Sequence, residues 1–235
     1  MRINQYLARA GVCSRRGADK VIEDRRVTVN GQLAVLGMDI QELDVVCVDG
    51  KQVSLPDSSI VLAYYKPIGV TCSEKDEHAE RLVVNEVKSD RRLTYAGRLD
   101  RDSEGLLIMT DDGELINAMM KGANKHEKEY IVTVNRAIKP EMLQKMASGI
   151  YIEELDMTTR PCEIEQIDNK SFKIILTQGL NRQIRRMCDA VGLKVVKLKR
   201  TRVMNVELKN LQVGASRDIV GEEKKILYLG CGLHM

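Results

Sequence analysis

Apolar residues recur along this chain with two different periods, and the switches between them mark its elements. In "MRINQYLARAG", Ile3, Leu7 and Ala10 repeat at helical spacing and Gly11 closes the turn. Ser14 stands as the N-cap of a second helix that carries Ala18, Val21 and Ile22 on one face. "VTVNGQLA" reads as a strand with an Asn-Gly turn, a strong hairpin signal, and "VVCVDGKQV" adds another short strand pair. "SLPDSSI", residues 54–60, is turn-rich and reads as a linker. Beyond it "IVLAYYKP", "GLLIMT", "KEYIVTV" and "KVVKLKRTRV" read as strands, and "CEIEQIDNKSFKIILTQG" as a hairpin turning at Asp168-Asn169. "DDGELINAMMKG", "KPEMLQKMASG" and "NRQIRRMCDAVG" read as helices, the last capped by Asn181 and ended by Gly192. The pattern predicts an α+β fold. A small helix-helix-hairpin domain spans 1–54, and a larger α+β domain with a mixed, mostly antiparallel sheet spans 60–235.

Composition changes this picture little. A chain of 235 residues is long enough to bury a real core, and a net charge of +3 singles out no partner. Six cysteines (Cys13, Cys47, Cys72, Cys162, Cys188 and Cys231) lie far apart with no C-x-x-C pair, which argues against a zinc site and a disulfide framework. Dispersed thiols fit a reducing cytosol. The N-terminus has no apolar h-region and no apolar run approaches membrane-spanning length, so a soluble intracellular protein is expected.

Local charge is more informative. Residues 1–30 hold seven Lys/Arg (Arg2, Arg9, Arg15, Arg16, Lys20, Arg25, Arg26) against three acids, a basic patch that is either a solvated helix surface or a contact for a polyanion. Residues 177–203 hold eight (Arg182, Arg185, Arg186, Lys194, Lys197, Lys199, Arg200, Arg202) against Asp189 alone. An i, i+4 pair of Arg185 with Asp189 would occupy one of them and leave seven. In the strand, Lys197 and Lys199 share a face while Val196 and Leu198 point the other way. Such a cationic helix-strand unit suits a nucleic-acid backbone better than a solvated face.

Chemistry narrows by elimination. Seven Tyr, one Phe and no Trp give no multi-aromatic stacking platform. The three histidines have neither metal spacing nor a nucleophile partner, and no glycine-rich phosphate loop occurs, so no cofactor and no metal is expected. Asp111 and Asp112 read as turn and cap, not as a nuclease metal site. Tyr130 opens a strand and reads as core by default. Asp100 stands between Arg98 and Arg101 in "GRLDRDSEGLLIMT". Its bland reading is a turn Asp. Opposite charge, however, favours the ionised form of a carboxylate, and a positioned carboxylate can act as nucleophile or base.

These residues carry a resemblance. "GRLDRDSEGLLIMT" is similar to the signature of bacterial pseudouridine synthases of the RsuA/RluB/RluE/RluF family. "KPIGVTCS", "KEYIVTV" and "GLNRQIRRM" resemble its other motifs in the family's order, with Tyr65 of "YYKP" where many relatives have Asn. "HEKEY" and "KRTRVMNVEL" look closest to the RluF branch, and the N-terminal piece resembles the RNA-binding module first described in ribosomal protein S4.

The resemblance implies a pseudouridine synthase domain and an isomerisation of uridine in large-subunit rRNA, or alternatively in tRNA. It places Asp100 on the catalytic aspartate, Tyr130 on the tyrosine that stacks on uracil, and Arg185 on the arginine paired with the aspartate. Arg98 falls on the arginine that enters the stack vacated by the target base. Arg15, Arg16, Lys20, Arg25, Arg26, Arg182, Arg186, Lys197 and Lys199 are then the expected RNA contacts. Whether Asp100 attacks the ribose or removes a neighbouring proton stays open. The protein is expected to be a cytoplasmic monomer without cofactor. The competing expectation is a catalytically silent RNA-binding or ribosome-assembly protein, which needs the basic patches but not Asp100, Tyr130 and Arg185 together.

Overall fold

A computed structural model describes residues 1–234. By contacts the chain divides into two compact units, Met1–Ile60 with Ser89–Arg92 and Asp111–Gly113, and the remainder.

The first unit pairs α1 (Ile3–Arg9) and α2 (Arg15–Glu23) with a four-stranded sheet. Its strands β1 (Val27–Val29), β2 (Gln32–Leu33), β3 (Val46–Val48) and β4 (Lys51–Val53) lie in the order β2-β1-β3-β4. The Asn30-Gly31 turn joins β1 to β2 with positive φ at both residues, as a two-residue hairpin requires. Ser14 accepts a hydrogen bond from the Gly17 amide and caps α2. Ile3, Leu7, Ala18, Ile22, Val27 and Val46 form a continuous core.

The second unit is built on a nine-stranded sheet. In chain order it runs β5 (Val61–Lys66), β6 (Thr94–Ala96), β7 (Glu104–Thr110), α3 (Gly113–Met120), β8 (Lys128–Val134) and α4 (Pro140–Ala147). A small ribbon β9 (Tyr151–Ile152) and β10 (Met157–Thr158) precedes β11 (Glu163–Gln166), β12 (Ser171–Leu176), α5 (Gln183–Ala190) and β13 (Val195–Val203). β14 (Val206–Glu207), β15 (Ser216–Asp218) and α6 (Gly221–Gly230) complete it. The spatial order is β11-β12-β8-β13-β7-β5-β15, with β14 on β13 and β6 on β7. β5 is buried along its whole length, as its unbroken apolar run predicts for a central strand. Two apolar clusters form the core, one around Leu106, Ile108 and Leu227, the other around Val132, Phe172 and Met187.

All pairings are antiparallel except β7 with β13, where Lys199 faces Glu104 and Arg200 faces Gly105. Gly105 has φ +111°, and a Cβ there would lie 2.6 Å from the Arg200 nitrogen. Only glycine allows this crossing. The glycine after the Asp100 cluster is therefore what lets β13 come up against the end of that loop.

Two local expectations differ from the structure. The N-cap of α5 is Arg182, in the left-handed region at φ 50°, not Asn181; the Asn181 carbonyl accepts from Arg186 Nε at 3.1 Å instead. A register shift between Val195 and Lys197 turns Val196 outward, where it is 59% exposed, so it does not share the face of buried Leu198. The β9–β10 ribbon, β15 and α6 carried no clear periodic signal.

Candidate active site

The loop between β6 and β7 carries Asp100, and cationic side chains from three elements grip its backbone. Arg200 of β13 donates from Nη1 to the Arg98 carbonyl at 3.3 Å. Lys66, at the end of β5, donates to the Ser103 carbonyl at 2.8 Å and to its own neighbour Pro67 at 2.8 Å. Arg185 of α5 donates to the Asp102 carbonyl at 2.9 Å and to the Ser103 hydroxyl at 3.2 Å. The Gly69 amide adds a bond to the Arg101 carbonyl at 2.8 Å. The loop is thus fixed by its backbone, and the Asp100 carboxylate is left to project.

It projects into a cavity of about 400 Å³, a volume typical of small-ligand sites. Apolar walls come from Leu99, Met119, Leu176, Ile184 and Leu198, and Tyr130 of β8 joins them. Asp100 is the one carboxylate on a lining that holds Arg98, Lys121, Lys125, Lys128, Arg182 and Arg200. His126 is there too, its Nε2 bonded to the Ala118 carbonyl at 3.2 Å. Burial pushes its pKa below the ordinary value. Burial also pushes the Lys128 ammonium down, with Arg200 acting in the same sense. It lowers Lys66 to about 8.

The arginines divide differently from expectation. Arg182 Nη1 is 3.7 Å from Asp100 Oδ2, and Arg182 also grips both Asp102 carboxylate oxygens, at 3.3 and 3.1 Å. Arg185 Nη2 lies 3.2 Å from Asp102 Oδ2. The partner of Asp100 is therefore Arg182, and Arg185 holds Asp102 in place of Asp100. Burial raises the Asp102 carboxyl, but the Arg182 hydrogen bond and the two guanidinium charges outweigh it and set its pKa below the usual value. The left-handed conformation of Arg182 costs on the order of 1–3 kcal/mol, and it aims the guanidinium at both carboxylates.

Of the other expected RNA contacts, Arg98 is exposed at the cavity. Arg15, Arg16, Lys20 and Arg25 are exposed on and just after α2. Arg26 is exposed but paired with Asp49 at 2.5 Å. Arg186 is held by Glu154 at 3.3 Å, and Lys199 sits over the Tyr65 ring at 5.1 Å from its centroid, so neither is a free cation; Lys197 is exposed. Lys66, Asp102, Lys128 and Arg200 were not anticipated in the site. Arg200 had one readable signal: it shares the strand face of Leu198, two residues earlier, and that face is buried. Lys66 had another, as the polar end of an all-apolar run.

Residues 60–190 match the family described as RNA pseudouridylate synthase, and residues 1–46 match the S4 domain. Dual-specificity RNA pseudouridine synthase RluF of Salmonella typhi is 40% identical over 224 residues, 94% of this chain and 76% of that protein. Ribosomal large subunit pseudouridine synthase B of Bacillus subtilis is 33% identical over 232 residues, 96% of this chain and 95% of that protein. A crystal structure of a pseudouridylate synthase aligns with a TM-score of 0.71 at 26% identity, covering 97% of this chain and 99% of its own.

Proposed function

The chain belongs to the RNA pseudouridine synthase family, and from that premise we propose that it isomerises a uridine of large-subunit ribosomal RNA with Asp100 as the catalytic carboxylate. The observation that carries this reading is a single carboxylate, held by a backbone-clamped loop, in a cavity lined by six lysines and arginines. A carboxylate in that setting can attack the ribose or take a proton beside the glycosidic bond. The bond between ribose C1′ and the uracil nitrogen breaks, the base rotates, C1′ joins the ring carbon C5, and the C5 proton moves to the freed nitrogen. Nothing is oxidised and no group is lost, so the residues here suffice without a cofactor.

In this reading Tyr130 stacks on the uracil and Arg98 occupies the gap in the RNA stack; that both line the cavity supports these roles. Extruding the base costs a few kcal/mol. Arg182, paired with Asp100, and Arg185, clamping the loop, are positioning groups in this reading.

Residues 1–54 act as the RNA-binding module and 60–235 as the catalytic domain. The matched ranges and the exposed cations of α2 support that division. The name of the Bacillus relative supports ribosomal RNA; the dual-specificity relatives favour a second substrate, for which tRNA is the candidate. Six dispersed thiols support a cytoplasmic enzyme, and we take it to act as a monomer.

The test is Asp100→Asn, assayed for pseudouridine formation in single turnover and for RNA affinity by filter binding. The rate is expected to fall about a thousandfold or more, with affinity within about threefold. A rate within threefold of wild type would remove Asp100 from the chemistry. A wild-type protein that binds rRNA and forms no pseudouridine would favour the silent RNA-binding alternative. Mapping pseudouridines in rRNA and tRNA of a deletion strain identifies the target.

A further inference from the structure

We infer that Arg200 is a positioning residue for the reaction, a buried strap that fixes the segment from Arg98 to Asp100 against β7. The inference rests on the proposed role of Asp100. Arg200 is 2% exposed and has no carboxylate within ion-pair distance among the described residues. An enclosed guanidinium without a counter-ion is expensive, so its retention calls for a reason. Its donors point to one. Nε donates to the Leu106 carbonyl in β7 at 2.7 Å, and Nη1 donates to the Arg98 carbonyl at 3.3 Å. One side chain therefore ties the start of the Asp100 loop to the strand that follows it. Nη2 is enclosed without a partner, which a purely stabilising role would not explain.

The backbone of the same residue supplies a second, independent observation. The β13–β7 pairing sets Lys199 against Glu104 and Arg200 against Gly105. There the absence of a Gly105 side chain admits the Arg200 main chain. Arg200 is thus anchored beside one end of the loop while its head reaches the other. Lys66 and Arg185 clamp Asp102 and Ser103, after the aspartate; Arg200 is the cation that holds the residues before it. At this position the planar fork presents Nε and Nη1 in a fixed geometry to the Leu106 and Arg98 carbonyls, and the compact ammonium of a lysine placed at residue 200 does not match that spacing.

The experiment compares Arg200→Met and Arg200→Lys with wild type and with Asp100→Asn on the full chain. It measures single-turnover rate against RNA concentration, with circular dichroism to establish folding. Misplacing a reacting group by about 1 Å can cost a hundredfold. Arg200→Met is expected to lower the saturating rate about a hundredfold with half-saturation unchanged within threefold. Arg200→Lys, which keeps the buried charge, is expected to recover part of that loss and remain at least fivefold below wild type. If Arg200→Met does not fold, the Lys variant carries the test. A folded Lys variant within twofold of wild type overturns the strap, as does an effect confined to half-saturation. An active Asp100→Asn overturns the premise instead. An inactive Asp100→Asn beside wild-type Arg200 variants sinks this inference alone.

Discussion

The cations of α2 and the arginines of the α5–β13 segment come from comparably basic stretches of sequence, yet they meet opposite fates. Arg15, Arg16, Lys20 and Arg25 stand in solvent and make no ion pair among the described residues. In the other stretch Arg182 and Arg185 hold Asp102, Arg186 holds Glu154, Arg202 holds Glu127 at 3.0 Å, and Arg200 is buried. Free cations act on RNA by releasing counterions, and their effect is additive and salt-sensitive. Committed cations act on the protein's own backbone, and their effect is geometric. A basic stretch is therefore not one kind of evidence. What decides its meaning is the number of acids and carbonyls that folding brings to it.

The sharpest break in this comparison is Arg185→Met. Its removal leaves the Asp102 carbonyl and the Ser103 hydroxyl, both tied to it now, without that donor. Asp102 is exposed, so water replaces that donor at its carbonyl; the Ser103 hydroxyl is buried, and a buried group left unpaired costs about 1–3 kcal/mol. The saturating rate is expected to drop about ten- to a hundredfold with a lower unfolding temperature, while the dependence of affinity on salt stays unchanged. If the salt dependence flattened and the saturating rate held, Arg185 would belong with the RNA-contacting cations.

Lys66 gives a smaller effect with a distinctive signature. Burial lowers its pKa from 10.5 to about 8. Between these values the folded protein binds fewer protons than the unfolded chain, so stability rises with pH across the window from about 8 to 10.5. The same deprotonation turns the bonds to Ser103 and Pro67 from charge-assisted to neutral, roughly halving their strength. Activity should decline several-fold above about pH 8 while the Lys66 contribution to stability grows. Lys66→Arg, which stays charged, should hold its relative rate to higher pH. Parallel rises in rate and stability in the wild type would contradict the clamp.

The smallest effect on the saturating rate should come from Arg15→Ala with Arg16→Ala. Each phosphate contact contributes roughly 0.9 to the slope of log affinity against log salt, so the double variant should flatten it by up to about 2. The rate at saturating RNA should stay within about twofold. A collapsed saturating rate with an unchanged slope would place these arginines with the chemistry and erase the contrast between the two regions.

What the sequence determined by itself is local. Helical spacing of Ile3 and Leu7, the Ser14 cap, the Asn30-Gly31 turn and the unbroken apolar run of β5 each depend on neighbours a few residues away, and each is legible in order along the chain. So is the placement of Asp100 among cations, since Arg98 and Arg101 lie within two residues of it. Only the tertiary structure decided which cation does what. Arg200 reaches a carbonyl 102 residues earlier, and Arg185 one 83 residues earlier. The partner of Asp100 is Arg182 and not Arg185, and Arg182 is the left-handed residue at the start of α5. Such pairings follow from where β13 crosses β7, and that crossing is fixed by the packing of the whole sheet and by the room left at Gly105, which no local pattern of polar and apolar residues encodes.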